Sequence, residues 1–425
     1  MATKIKQLIA TQFDGSPLFD LLRKKRSKQV MSLYTAMILS IAAGIGVSVV
    51  NTRYLTPEVY GELKFLQTLF AFVVAFFTLG FFYSGTRLIA QKSNEHIKQN
   101  LIGATVFVGG IMSVLFIFFN FLFSWPQEFL FENQLGLTIR IIAPLLVVYP
   151  FELFCENMLL GDNRIYTLSV FRLGPKITYL VAMLIWVKFG SLTLLSAIGL
   201  YLVSMLAFIL FIVYRMRPRF NNLKKYRNIL SEENKIYGFP LFTGSLAGLA
   251  SAQLGGIAIS YFVDNTNVGF FSLAVTATMP LTLIPSTVGN TFFKEFANTR
   301  RIPRKVTYAT IALSILAFIL FILFIKQLVI LLYSDVYLPV VPLAYGCAVG
   351  SFLQGFGDYY NRFLMAHGRG RELRNSSIVI GIANILGYCG MVFWLGTFGA
   401  VITKILAGAI YIILMLFAYN RSQHD

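Results

Sequence analysis

Charged residues and cysteine are both scarce in this chain of 425 residues. Charged residues make up 13% of it, hydrophobic residues make up 57%, and the mean hydropathy is +0.71. A soluble protein of this length needs far more polar surface, so the composition indicates an integral membrane protein. The three cysteines, Cys155, Cys347 and Cys389, all lie in apolar stretches. Their odd number and location argue against a disulfide framework and against a cysteine-based metal site.

Catalytic and nucleotide-binding motifs are missing as well. The sequence contains no G-x-x-x-x-G-K-[ST], H-E-x-x-H, C-x-x-C or G-x-S-x-G pattern. The three histidines, His96, His367 and His424, fall in predicted loops or in the tail. The loops between apolar stretches are too short to hold a catalytic domain. We therefore expect no catalytic residues, no metal and no cofactor, and a protein that is not an enzyme.

Apolar stretches long enough to cross a bilayer as helices dominate what is present. The longest polar interruption, residues 215–236, divides them into two sets of six. The pattern predicts an all-α integral membrane protein with about 12 transmembrane helices, arranged as two six-helix halves around a central cavity. The predicted spans are 30–50, 63–84, 101–124, 141–160, 167–187, 192–214, 237–262, 269–290, 306–326, 339–365, 375–395 and 401–420.

The basic residues predict the topology. The net charge is +18, and most of the 36 Lys and Arg residues lie in the termini and in alternate loops. The opposite loops contain Arg53, Arg140 and Lys188. By the positive-inside rule both termini are cytoplasmic, and the charge reflects topology rather than nucleic-acid binding. The predicted segments are a cytoplasmic N-terminal segment 1–29, a first half 30–214, a cytoplasmic linker 215–236, a second half 237–420 and a cytoplasmic tail 421–425.

Four charges lie inside two consecutive spans. Glu152 and Glu156 are four residues apart in the fourth span, and Arg172 and Lys176 have the same spacing in the fifth. Each pair therefore shares one helix face. In an antiparallel hairpin, Glu156 falls at the depth of Arg172 and Glu152 at the depth of Lys176. A charge inside the membrane costs about 2.5–3.5 kcal/mol on insertion scales, so it usually faces a partner or a watery pathway.

The second half repeats this acid–base pattern. Asp358 and Arg362 are four residues apart in the tenth span, and Lys404 lies in the twelfth. Two interpretations remain open for all these charges. They form structural ion pairs that hold helices together, or they line a water-filled cavity in which cations receive an anionic substrate and acids titrate.

Several turns carry a family resemblance. Residues 53–61 (RYLTPEVYG) resemble the Arg-x-Leu-x-Pro-x-x-Tyr-Gly turn that follows the first helix of polysaccharide-export flippases of the Wzx type. Residues 78–81 (TLGF), 84–87 (SGTR) and 160–164 (LGDNR) are also similar to that family. These flippases belong to the multidrug/oligosaccharidyl-lipid/polysaccharide (MOP) exporter superfamily.

The resemblance implies a function and partners. It implies translocation of an undecaprenyl-diphosphate-linked oligosaccharide, an O-antigen or related surface polysaccharide repeat unit, across the bacterial inner membrane. The halves would rock against each other to give alternating access. Membrane lipids, a polysaccharide polymerase and a chain-length regulator are implied as partners in lipopolysaccharide or related biosynthesis. The expected contacts of the diphosphate are Lys176, Arg172, Arg362 and Lys404, and the expected candidates for proton coupling are Glu152, Glu156 and Asp358.

Three alternatives are weighed against this interpretation. A multidrug or other small-molecule exporter of the same superfamily is disfavoured by the surplus of basic over acidic residues in the spans. A major-facilitator sugar transporter would carry a different loop after its second helix, where residues 87–92 read RLIAQK. A membrane polysaccharide polymerase or acyltransferase would need a large outer loop or an intramembrane histidine, and the sequence has neither.

Overall fold

The computed structural model describes residues 25–423, and that part of the chain contains no β-strand. Most of the predicted N-terminal segment, residues 1–24, and the last two residues of the predicted tail lie outside the described residues. The α-helices are α1 Lys25–Tyr54, α2 Pro57–Phe77, α3 Phe81–Gln91, α4 Glu95–Leu130, α5 Gly136–Ile142, α6 Val148–Gly161, α7 Ile165–Trp186, α8 Leu194–Met216, α9 Leu223–Glu233, α10 Phe239–Phe262, α11 Asn265–Thr291, α12 Phe293–Phe296, α13 Arg304–Tyr333, α14 Val340–Ala366, α15 Gly370–Leu395 and α16 Thr397–Ser422.

The helices confirm the predicted fold class. Within residues 25–423, eleven helical segments are long and apolar enough to cross a membrane. One of them joins α5 and α6 through a turn of 3-10 helix at Ala143–Val147. In addition, α10 has 24 residues and occupies the position of the predicted seventh span. At 1.5 Å per residue it is about 36 Å long, enough to cross the hydrocarbon core.

The predicted second span, 63–84, is broken into α2 and α3. Thr56 caps the start of α2, where Pro57 takes the first helical position that suits its fixed φ. The helix ends at Phe77 because Leu79 and Gly80 both adopt left-handed backbone conformations, with φ of 45° and 82°. Such a conformation suits glycine but strains leucine, so the surrounding structure must hold Leu79 in place.

Ion pairs join helix ends on the side of the protein that is predicted to be cytoplasmic. We call this side the inner side. Asp162, in the turn between α6 and α7, pairs with Lys98 of α4 at 2.7 Å. Arg164 contacts the same carboxylate, and its guanidinium lies 3.5 Å from Glu95. The predicted interhelical turn at residues 160–164 is therefore tied to the first turn of α4.

The linker between the halves is itself helical. It contains α9, followed by a π-helical turn at Asn234–Gly238 that leads directly into α10. Single π-turns inside helices commonly mark functional sites. Across the interface between the halves, α2 packs against α10 and α11, and the broken segment packs against the π-turn.

Candidate functional site

A cavity of about 380 Å³, with several polar side chains in a mainly apolar lining, lies at the interface between the two halves. Helices α2, α3, α6 and α8 of the first half line it, and α10 contributes from the second half. Its volume falls within the range of about 300–1,000 Å³ that is usual for small-molecule sites. Its polar lining residues are Gln67, Thr78, Tyr83, Tyr149, Glu152, Asn157, Tyr201 and Gln253.

Helix α6 presents three of these side chains to the cavity. Pro144 opens the 3-10 turn that precedes this helix, and proline at a first helical position is favourable. Tyr149 and Glu152 then follow three residues apart on one helix face, and Asn157 lines the cavity from further along the same helix. The ring of Tyr149 packs against Phe70, with ring centroids 5.5 Å apart. The scaffold therefore presents a phenol, a carboxylate and an amide together.

Two of these groups have unused hydrogen-bonding capacity. The hydroxyl of Tyr149 has no hydrogen-bond partner, although the residue is only 5% exposed. Glu152 makes no ion pair or hydrogen bond with another described residue. Buried polar groups are normally satisfied, so water or a ligand must meet them. A ligand rich in hydroxyl groups has the required chemistry.

The predicted pairing of Glu156 with Arg172 is confirmed. Arg172 Nε of α7 lies 2.8 Å from Glu156 Oε1 of α6, and each side chain is about one-third exposed. The pair lies away from the lining of the cavity. It joins two neighbouring helices of the first half, as the structural interpretation of these charges predicts.

The predicted pairing of Glu152 with Lys176 is wrong at contact distance. Lys176 Nζ instead donates a hydrogen bond of 2.8 Å to Ser40 Oγ of α1. The two charges separate because α1 packs along α7 and Lys176 faces α1, whereas Glu152 faces the cavity.

The charges of the second half do not pair with each other either. Tyr411 of α16 donates a hydrogen bond of 3.0 Å to Asp358 Oδ1. Arg362 contacts Met365 Sδ at 3.5 Å, and its Nε is buried without a partner. Lys404 packs its side chain against Gly350 of α14. None of the four predicted cations lines the cavity in this conformation, and among the predicted site residues only Glu152 does.

Some residues near the site were not predicted from the sequence. The amides Gln67, Asn157 and Gln253 line the cavity, and each is a polar residue within an apolar span. Lys64, which the sequence places near an outer end, donates a hydrogen bond of 3.2 Å to Gln67 Oε1. Its ammonium also lies 5.4 Å from the ring centre of Tyr60. Amide side chains within apolar helices could have indicated these cavity residues, because burying an amide in hydrocarbon without a hydrogen bond costs free energy, as burying a charge does.

Direct backbone contact, which we call the outer closure, joins the two halves on the outer side. Gly61 of α2 lies against the backbone of Asn265 and against Gly269 at the start of α11. A β-carbon on Gly61 would overlap the carbonyl of Asn265, so only glycine permits this approach. The outer ends of the two halves are therefore in contact.

The turn that carries the family resemblance also bridges the halves. Arg53 Nη2 donates to Leu331 O at 2.8 Å, in the last turn of α13, where a cation is favourable. Tyr337 donates a hydrogen bond of 3.3 Å to Leu55 O. The rings of Tyr60 and Tyr337 meet edge to face, with centroids 6.2 Å apart. This turn therefore forms part of the outer closure.

A second close contact, which we call the inner closure, joins the two halves on the inner side. Gly80, in the break between α2 and α3, lies against Gly238 of the π-turn with no room for a β-carbon on either residue. Ser84 Oγ donates to Asn234 Oδ1 at 3.1 Å, and Asn234 Nδ2 donates to Leu79 O at 3.1 Å. This second bond holds Leu79 in its left-handed conformation.

An ion pair extends the inner closure at the surface. Arg87 Nη1 of α3 lies 2.8 Å from Glu233 Oε1 of α9. The guanidinium of Arg87 also lies 4.5 Å from the ring centre of Tyr237 in the π-turn. Contacts between the halves therefore lie near both ends of α2.

This architecture is shared with solved transporters of the MOP superfamily. The lipid II flippase MurJ in an inward closed conformation is similar with a TM-score of 0.73 and 15% identity, over 91% of this chain and 87% of that chain. A multidrug resistance MATE family transporter in an inward-facing conformation matches with a TM-score of 0.69 and 16% identity, over 93% and 99%. A MOP superfamily transporter from Pyrococcus furiosus gives 0.58 and 13%, over 96% and 99%. At such identities these likenesses establish the fold.

The sequence places the chain in a particular family of this fold. The family model described as polysaccharide biosynthesis protein matches residues 27–293, which is more than half of the chain. The chain therefore belongs to the polysaccharide biosynthesis protein family. No curated protein matches it.

Proposed function

We propose that the chain translocates an undecaprenyl-diphosphate-linked oligosaccharide, an O-antigen or related surface polysaccharide repeat unit, across the bacterial inner membrane. The observation that carries the proposal is a cavity with eight polar side chains in its lining, beside two halves that touch near both ends of α2. Sugar hydroxyls are costly to move through hydrocarbon unless other hydrogen bonds replace those to water. Opening the inner and outer contacts in turn would admit the sugar from one side and release it on the other.

The cavity lining supports a sugar as the enclosed part of the substrate. The free hydroxyl of Tyr149 and the amides of Asn157 and Gln253 can exchange hydrogen bonds with sugar hydroxyls. The rings of Tyr83 and Tyr201 supply flat apolar surface beside these groups. The volume suits a few sugar rings at most, so longer glycans would extend beyond the cavity.

The diphosphate requires cations, and the four predicted ones remain its proposed contacts. Lys176 and Arg172 lie in the first half, and Arg362 and Lys404 lie in the second. Arg172 is the least available of them because Glu156 already pairs with it. Separation of the halves would bring cations of both halves to the widened cavity, where they would meet the diphosphate.

We propose that the three acids couple transport to protons. The contacts that each acid makes indicate which of them is the strongest candidate. Glu152 faces the cavity and is free of ion pairs among the described residues, so it can take up a proton as its surroundings change. Glu156 is held by Arg172, and Asp358 accepts a hydrogen bond from Tyr411. Glu152 is therefore the strongest candidate.

The cellular setting forms part of the proposal. We propose that both termini are cytoplasmic and that residues 215–236 link two halves spanning 30–214 and 237–420. A polysaccharide polymerase and a chain-length regulator would act on the translocated repeat unit at the outer face of the inner membrane.

Deletion of the gene for this chain tests the proposal. Loss of the surface glycan, with undecaprenyl-linked repeat units accumulating on the cytoplasmic face, is the expected result. The sidedness of these units is measured by their accessibility to an impermeant glycosidase or lectin in oriented vesicles. Normal surface glycan, or long polymer left unattached in the periplasm, would contradict the proposal.

One observation favours a second candidate, a small-molecule exporter of the same fold. The charged residue in the cavity lining is an acid, Glu152, which suits an organic cation better than an anion. This acidic lining runs against the basic surplus of the spans as a whole. Efflux of a fluorescent organic cation by cells that overproduce the chain, with unaltered surface glycan in the deletion strain, would support this candidate instead.

A further inference from the structure

Helix α4 carries a line of buried polar side chains inside the first half, which we call the buried polar stripe. It consists of Ser113, Asn120, Ser124 and Gln127, which follow at intervals of seven, four and three residues and therefore share one helix face. All four residues are buried, although α4 is apolar enough to span the membrane. The helix packs against α5, α6 and the 3-10 turn between them. The stripe therefore faces protein rather than lipid.

The amides of the stripe have polar atoms without a partner. Neither Gln127 Nε2 nor Gln127 Oε1 forms a hydrogen bond with another of residues 25–423, although Gln127 is 0% exposed. Asn120 Nδ2 donates to Phe116 O at 2.7 Å, but Asn120 Oδ1 has no partner in the same part of the chain. The two serine hydroxyls donate to carbonyls of their own helix, so their oxygens can still accept. Buried polar groups are normally satisfied, so water must meet these amides.

The inner end of the stripe reaches the cavity at Tyr149. The ring of Tyr149 lies 6.1 Å from the ring of Phe116, centroid to centroid, and the carbonyl of Phe116 holds the amide of Asn120. Asn120 Oδ1 and the hydroxyl of Tyr149 are thus two unpartnered polar atoms beside the same residue. Glu152 follows Tyr149 by one helical turn, and both line the cavity. The stripe therefore leads to the acid proposed for proton coupling.

The outer end of the stripe reaches a second concavity, of about 1060 Å³, which we call the outer vestibule. Its lining contains five carboxylates, those of Glu58, Glu62, Glu128, Glu132 and Asp264.

The contacts of one of these carboxylates join the vestibule to the stripe. Glu128 follows Gln127 directly in α4, and Glu128 Oε1 accepts a hydrogen bond of 2.8 Å from Gly136 N at the start of α5. Gly136 in turn lies against the carbonyl of Ser124. Clustered carboxylates attract protons and other cations. The outer vestibule can therefore supply protons to the outer end of the stripe.

We propose that the buried polar stripe holds a file of water molecules that carries protons from the outer vestibule to Glu152, an inference that rests on the proposed function. At 1.5 Å per residue, Gln127 and Ser124 are about 4.5 Å apart along the helix, and Ser124 and Asn120 are about 6 Å apart. One water can bridge such a gap, because each of its hydrogen bonds spans about 2.8 Å. Each water accepts a proton from one neighbour and passes one to the next, and Glu152 ends as the neutral carboxylic acid.

The groups around Glu152 leave it as the proton acceptor. Lys176 of α7 and Lys64 of α2 donate hydrogen bonds to other partners, and Glu156 is paired with Arg172. Among the described residues, the other titratable side chains that line the cavity or belong to α6 are phenols and a thiol, those of Tyr83, Tyr149, Tyr201 and Cys155. Phenols and thiols keep their protons at neutral pH. The stripe itself carries no charge.

Gln127→Leu tests the file by removing both unpartnered polar atoms at its outer end. The matched control is Gln99→Leu, which removes a buried amide, also with an unpartnered oxygen, near the inner end of the same helix. Full-length protein in liposomes is assayed for translocation of an undecaprenyl-diphosphate-linked oligosaccharide driven by a pH gradient. Exchange of labelled for unlabelled substrate at equal pH, which needs no net proton movement, is measured alongside.

Gln127→Leu should slow gradient-driven translocation at least about tenfold, because a water that loses an amide partner is held less strongly. Exchange should stay within about twofold of wild type, and Gln99→Leu should change neither rate. A normal gradient response in the Gln127→Leu protein, an equal loss in the Gln99→Leu protein, or an equal loss of exchange would overturn the inference.

A second measurement applies to the unmodified protein. Synchrotron radiolysis converts water inside a protein to hydroxyl radicals, which oxidise neighbouring side chains. Phe116 should be oxidised although it is 0% exposed, whereas Phe296, equally buried in an aromatic cluster of the second half, should be protected. Equal protection of the two rings would overturn the inference. Failure of the wild-type protein to translocate its substrate would overturn the proposed function, and the oxidation of Phe116 would then decide the water file by itself.

Discussion

Glu152 combines a position in the cavity lining with freedom from ion pairs in the described part of the chain. We expect Glu152→Gln to retain the fold, because the amide is nearly isosteric, and to lose transport driven by a pH gradient, because the amide carries no exchangeable charge. Transport into liposomes with and without an imposed gradient measures this. For comparison, Glu156→Gln breaks the pair with Arg172 and should cost up to about 1 kcal/mol of stability, and it should reduce the gradient response less because Glu156 is the weaker coupling candidate. A normal gradient response in the Glu152→Gln protein would rule out the coupling role.

Lys176 is the leading candidate for contact with the diphosphate. Removal of a charge-assisted hydrogen bond costs about 1.5–3 kcal/mol, so Lys176→Ala should lower export about tenfold or more at normal membrane abundance. Export is measured as surface glycan per molecule of protein in the membrane. Lys188→Ala removes an exposed lysine of a predicted outer loop and should have no effect. Full activity of the Lys176→Ala protein would end this assignment.

The sequence revealed the charged residues of the spans but not their partners. A charge in an apolar stretch is conspicuous, and the hairpin geometry correctly paired Glu156 with Arg172. Depth alone failed for Lys176, because its partner is set by the rotation of α7 and by the packing of α1, neither of which local sequence encodes. For the same reason, the sequence did not indicate that the hydroxyl of Ser40 on α1 accepts a hydrogen bond from Lys176.

Helix α2 connects the two closures, with Gly61 near its outer end and Gly80 just beyond its inner end. We expect Gly61→Leu to force the outer ends of α2 and α11 apart, because a β-carbon there has no space. A cysteine at Thr78 in the cavity should then react faster with an impermeant thiol reagent added from the outer side. Gly199→Leu in α8 is the control, because that position is open. Equal labelling in the two proteins would refute the outer closure.

The ion pair of α3 with α9 should stabilise the inner closure modestly. Its side chains are 43% and 19% exposed, so the contribution is about 1 kcal/mol or less, or up to about fivefold in the population of open molecules. Arg87→Gln should raise inner-side labelling of the same cysteine by that factor. Lys235→Gln is the control, because its partner Glu232 lies three residues away in the same segment. An unchanged labelling rate in the Arg87→Gln protein would show that the ion pair does not stabilise the inner closure.

The broken second span marks the limit of prediction from hydropathy. Residues 63–84 are mostly apolar, so the sequence predicted one helix, whereas the structure has α2 and α3 with a left-handed break at Leu79 and Gly80. The break is fixed by contacts with Gly238 and Asn234, about 155 residues further along the chain. A glycine in an apolar stretch does not by itself indicate such a contact, because glycine is common in membrane helices.

For the molecule as a whole, the sequence predicted the class of architecture well. Hydropathy predicted about twelve spans, and within residues 25–423 the structure has eleven helical segments long and apolar enough to span a membrane, with α10 in the position of a twelfth. The contact of the halves near both ends of α2 was not predictable, because it depends on backbone contacts of Gly61 and Gly80, which contribute almost nothing to composition or charge. Those contacts hold both ends of α2 against the second half.

The central claim is that the two halves must separate for a lipid-linked oligosaccharide to cross. Ser84→Cys and Asn234→Cys, in a protein whose exposed thiol is removed by Cys389→Ser, place two thiols where side-chain atoms now lie 3.1 Å apart across the inner closure. Translocation of an undecaprenyl-diphosphate-linked oligosaccharide is measured in liposomes before and after oxidation. The account predicts that the cross-linked protein stops translocation and that reduction restores it. Translocation that continues at the same rate in fully cross-linked protein would contradict it.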